Sequence, residues 1–94
     1  MPQLSLQSCV KPDSSHVIDR AVRGEALLIH LNSGEYYSLN ALGTQVWALM
    51  DGQRSLGDIA QALVVEYDVT LEQAQMDVLN LAMSLLEEQL VVLV

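Results

Sequence analysis

Basic residues, aromatics and cysteines are all scarce in this chain, and each shortage closes off a class of function. Four Lys and Arg stand against twelve Asp and Glu, for a formal net charge of -8. Nucleic-acid binding draws most of its non-specific affinity from basic side chains that neutralise phosphates, and an anionic membrane surface attracts them for the same reason. Neither nucleic acid nor a membrane is therefore an expected partner. The single cysteine, Cys9, cannot close an internal disulfide, so a reduced, cytoplasmic setting is the expectation. No apolar run approaches the roughly 18 residues that span a membrane. The stretch from Met1 to Pro12 lacks the basic start and long apolar run of a signal peptide. Phe is absent, so a core must be built from Leu, Val, Ile, Ala and Met; with 51% of the 94 residues hydrophobic, one domain has enough material for it.

The chemistry of catalysis is also missing. His16 and His30 form no HxxxH or HxxE pattern, and one Cys gives no CxxC, so no metal site is expected. His30 sits in an apolar segment, where a structural histidine is the ordinary reading. A Cys9–His dyad would be poorly preorganised, because Cys9 falls in a polar arm. The five glycines make no GxGxxG or phosphate loop, and the carboxylates are dispersed as on a solvated surface. The expectation is a protein that is not an enzyme and holds no cofactor.

What is present is a strand-then-helix layout. Met1 to Ser15 carries Pro2 and Pro12 without sustained periodicity and reads as a flexible arm, residues 1–15, with a short extended piece around Leu4-Ser5-Leu6. Residues 16–94 form the domain. Val17 to Val22 and Ala26 to Leu31 read as strands joined by a turn at Arg23-Gly24-Glu25. Asn32-Ser33-Gly34 suits a tight hairpin, and Glu35 to Leu39 returns as a third strand at the sheet edge. Asn40 is placed to cap a helix over Ala41 to Met50, and Ser55 to cap a second running to about Glu66. Thr70, with Gln73 three residues on, has the capping-box pattern for a third, Leu71 to about Glu88. At about 100° per residue, the apolar positions of this third helix cover roughly 220°, where a helix packed on one core needs little more than about 100°. The excess asks for a second covering surface: the rest of the fold, a peptide groove or a homodimer contact. The apolar tail Gln89 to Val94 must also pack somewhere or mediate association.

Gly34-Glu35-Tyr36-Tyr37-Ser38-Leu39-Asn40, followed by Gly43-Thr44 and Val46-Trp47, resembles the core of the PqqD-like family, the RiPP recognition elements. Asp58 to Leu63, Tyr67-Asp68-Val69, Asp77-Val78 through Leu85 and the closing Leu90-Val91 resemble its later pieces in order and spacing. The similarity runs from about Val17 to Val92. Gln89 departs from the pattern, which has Gly before the final Leu-Val. The resemblance implies an α+β winged helix-turn-helix: a three-stranded antiparallel sheet followed by three helices. It implies capture of the leader segment of a ribosomally made precursor peptide, presented to a modifying enzyme such as a radical-SAM protein, a leader peptidase or a cyclase. The leader would add as a strand to Glu35, Tyr36, Tyr37, Ser38 and Leu39, against Asp77, Val78, Leu81 and Leu85 of the third helix. Tyr37 and Leu39 share one strand face and are expected to turn inward, leaving Tyr36 and Ser38 nearer the surface.

Two other classes compete. A winged-helix regulator would read DNA, yet no Lys or Arg occurs from Leu56 to Val94, which leaves a recognition helix without a basic side chain. An oligomeric scaffold would use the apolar tail and third helix.

Overall fold

The computed structural model describes residues 4–94. Five strands and three helices follow in the order β1 (Val10–Pro12), β2 (Val17–Val22), β3 (Glu25–His30), β4 (Tyr36–Ser38), α1 (Ala41–Leu49), α2 (Leu56–Glu66), α3 (Leu71–Glu87) and β5 (Val91–Leu93). The class is α+β with two antiparallel sheets, one ordered β2-β3-β4 and the other pairing β1 with β5.

The β2–β3 hairpin turns in two residues, because Val22 pairs with Glu25. Arg23 and Gly24 both take positive φ there, 55° and 82°, the backbone that matches the twist of the flanking strands in such a turn. The next hairpin is looser than the expected tight turn. Glu35 O accepts from His30 N–H, and only Gly34 of its loop takes positive φ. The returning strand is correspondingly shorter than Glu35 to Leu39.

The helix caps fall where expected, with one exchange of detail. Asn40 accepts from Gly43 N–H at 2.8 Å and opens α1. Ser55 and Asp58 form the reciprocal capping box of α2. Thr70 does accept from Gln73 N–H, but the Gln73 amide donates forward to Asp77 Oδ1 at 2.8 Å. The capping box thus belongs to α2 alone.

The reading of residues 1–15 as a flexible arm needs correction, apart from residues 1–3, which lie outside the described residues. Val10 is 1% exposed and pairs with Leu93, and Pro12 with Val91. Before that, Ser8 O and Leu6 O accept the Leu56 and Gly57 N–H groups. These are the first two amides of α2, which have no partner inside their own helix. Gly57 allows the approach, since a Cβ there would lie 3.2 Å from Leu6 O. The polar arm is ordered because it completes a helix terminus and closes over the apolar tail.

Leu28, Val46, Trp47, Met50, Leu56, Ile59, Leu63, Val78, Leu85 and Leu90 form one core with the inner faces of β1 and β5. The ends of α3 and β5 are joined by a left-handed residue. Gln89 has φ +60°. Its N–H donates to Leu86 O, while Leu90 N–H reaches back to Leu85 O at 2.9 Å. That pair of bonds is the Schellman motif, with buried Leu90 packing as its apolar contact. Gln89 adopts the conformation that glycine would take.

Candidate functional site

Strand β4 is an edge. On one side it pairs with β3 in the register Leu27–Ser38, Leu28–Tyr37 and Ile29–Tyr36. Bonds His30 N–H to Glu35 O and Leu39 N–H to Ala26 O flank this register. Bonding alternates along an antiparallel strand, so Tyr37 also points its backbone groups at β3. Tyr36 and Ser38 point theirs outward, where no strand among the described residues meets them. The side chains follow the expected parity: Tyr36 is 70% exposed, while Leu39 is buried at 8%.

Two hollows lie between this edge and α3. The first, about 390 Å³, is bounded by Ser38, Leu39 and Asn40, by Leu42, Gly43 and Val46 of α1, and by Asp77 and Leu81 of α3. Its walls are mainly apolar. The second, about 300 Å³, lies at the other end of the strand between His30, Asn32, Ser33, Glu35 and Tyr37 and the α3 exit at Glu87, Glu88 and Gln89. Tyr37 lines this second hollow. Its hydroxyl lies 2.6 Å from Glu88 Oε2 and 3.0 Å from Glu35 Oε2, tying the strand to the end of α3. The Glu88 carboxylate first, then partial burial and Glu35, push the Tyr37 phenol well above its usual range.

The nine residues named from sequence separate into four groups. Ser38, Leu39, Asp77 and Leu81 line the first hollow, and Glu35 and Tyr37 the second, while Tyr36 stands exposed on the strand. Val78 and Leu85 are 0% and 4% exposed and belong to the core. They support the helix from behind. Sequence reasoning missed Leu42, Gly43 and Val46 of α1 as walls of the first hollow, and Glu87 and Glu88, which read as solvated charge. Among the described residues, no group of His, Cys, Asp and Glu is arranged to hold a metal ion. Cys9 approaches only the Gln53 carbonyl, at 3.9 Å. His30 is a buried strand histidine whose Nδ1 accepts from Asn32 N–H. No helix among the described residues is long and apolar enough to cross a membrane.

An α+β chain with an open strand edge facing a helix is the class these elements define. Residues 25–91 match the family model described as coenzyme PQQ synthesis protein D (PqqD). The chain belongs to the PqqD family. Two solved structures share its fold at 26% sequence identity and a TM-score of 0.78. One is TbiB1 in complex with the TbiA(beta) leader peptide, with 86% of this chain and 93% of that chain covered. The other is a lasso peptide synthetase B1 complexed with a leader peptide, with 92% and 98% covered. Among curated protein sequences, none matches the chain.

Proposed function

We propose that this protein is a non-catalytic recognition module that captures the leader of a ribosomally made precursor peptide and presents it to a modifying enzyme. The observation that carries the reading is the open edge of β4 beside α3, in a chain whose relatives of known structure are bound to leader peptides. The β2-β3-β4 sheet then serves as the wing of a winged helix-turn-helix and α3 as the second wall of the groove. The leader adds to β4 as an antiparallel strand. Outward N–H and C=O groups of Tyr36 and Ser38 donate and accept its backbone bonds respectively, which gives affinity with little regard to sequence. The hollows beside the strand choose among side chains. With Cys9 unpaired and no basic face, the cytoplasm is the compartment proposed, and a leader peptidase, cyclase or radical-SAM protein the receiving enzyme.

The test is titration of the labelled protein with the leader of a precursor encoded beside its gene. Amide shifts are expected in Glu35 to Leu39 and along α3. Ser38→Pro is the informative variant, because it removes an outward donor and leaves the Tyr37–Leu28 pairing intact. Loss of one such bond should weaken binding by about two- to tenfold, with the circular dichroism spectrum unchanged. Unchanged affinity in the folded variant would exclude pairing at this edge.

A further inference from the structure

The second hollow offers chemistry that a backbone-pairing edge does not need. Glu35 and Glu88 converge on one phenol, and Glu87 joins them at the rim. A phenol has a single proton to donate, so most acceptor positions on these carboxylates stay open. No cation of the described protein fills them. Arg54 is paired with Asp51 at 2.8 Å, and neither Lys11, Arg20 nor Arg23 lines the hollow.

His30 gives an independent sign of a missing partner. It is 6% exposed and lines the same hollow. Its Nδ1 accepts from Asn32 N–H at 3.2 Å, so the ring proton sits on Nε2. That N–H has no protein partner among the described residues, yet no buried side-chain nitrogen or oxygen there is closed off without one. Nε2 therefore keeps some access to solvent, and the His30 ring lines the hollow. The site holds a nearly buried donor suited to a carbonyl beside acceptors suited to a cation.

Resting on the leader-binding reading, we propose that this hollow is a specificity subsite for a lysine or arginine side chain of the captured peptide. The cation lies against Glu35 and Glu88, and His30 Nε2–H donates to a peptide carbonyl nearby. A strand antiparallel to β4 passes the apolar hollow at Leu39 first and reaches Glu35 last. Leu39 and Glu35 are four residues apart on one face. The preferred leader thus carries an apolar side chain and, about four positions towards its C-terminus, a basic one. The subsite fixes register and direction, which backbone pairing alone leaves open.

The experiment pans a displayed library of random linear peptides against the wild-type protein and against the Glu35→Gln/Glu88→Gln and Glu88→Lys variants. Bound peptides are mapped by amide shifts. The expected result is enrichment of Lys or Arg at one register position in peptides that perturb β4. Their affinity should fall about tenfold in the double Gln variant and weaken with added salt. Glu88→Lys should move the preference at that position towards Asp or Glu. Peptides that bind the β4 edge with no basic preference, or with one the variants do not alter, would overturn the subsite while leaving leader capture standing. Peptides that perturb only other surfaces would overturn both.

Discussion

Replacing Gln89 with glycine should make this protein more stable. The helix α3 ends in a Schellman motif whose C′ residue, Gln89, has φ +60°. A left-handed backbone costs a residue with a Cβ about 1–2 kcal/mol. Glycine removes that cost and adds an entropic penalty of about 0.5–1 kcal/mol from its freer unfolded chain. The balance favours Gln89→Gly by about 0.5–1 kcal/mol. For a domain of this size, that is a rise in Tm of roughly 2–8 °C. In urea, with a slope of about 1 kcal/mol/M, the midpoint should rise by roughly 0.5–1 M. Gln89→Ala is the control: it keeps a Cβ in the left-handed region, so its midpoint should stay close to wild type. Gly57 and Leu6 are far along the chain from this exit and should show unchanged amide shifts in both variants. A Gln89→Gly protein no more stable than wild type, or equal to Gln89→Ala, would refute the left-handed exit and with it the path of the tail into β5.

Two further outcomes follow from other parts of the fold. Val10→Ala removes two methyl groups from a site 1% exposed and should cost about 1.5–2.5 kcal/mol in urea unfolding; a loose arm would give almost no change. Tyr37 is held as the neutral phenol by Glu88 and Glu35, so its folded pKa is raised. Its contribution is present in full below the unfolded value of about 10 and is lost as pH rises above it, because the unfolded state ionises first. The alkaline fall in stability should therefore be shallower in Tyr37→Phe than in wild type, and equal slopes would reject the phenol–carboxylate contact.

The helices were legible because each carries its own start signal. Asn40, Ser55 and Thr70 all cap as their side chains allow, and the apolar stripes place the core faces. The hairpins were legible from Gly24 and Gly34. The β1–β5 pairing was not, since it joins Val10 to Leu93 across nearly the whole chain, and no local period marks a three-residue strand. Leu6 and Ser8 gave no sign of their role either. Their carbonyls matter because of two amides on another element, and backbone acceptors have no signature in sequence. Gln89 misled in the other direction: its side chain argues against a left-handed residue, but burial of Leu90 at 0% exposure overrides that local preference.

The groove wall on α3 shows how near the sequence came and why it stopped short. Apolar residues drew attention to Val78 and Leu85, but a helix turns about 100° per residue. One position earlier, Asp77, Leu81, Ser84 and Glu88 follow steps of four, three and four. The first and last differ by only about 20° around the axis, so the four make one stripe along the helix. Asp77 and Leu81 border the first hollow and Glu88 the second, as that stripe requires. The neighbouring stripe of Ala74, Val78, Ala82 and Leu85 is buried against the core. Much of the wide apolar arc is thus consumed by the fold itself. What α3 offers a guest is one half-buried leucine between two acids, a wall that supplies little hydrophobic affinity. Capture at this edge must then draw on the outward backbone groups of Tyr36 and Ser38, with the acids acting on which strand is accepted and in which register.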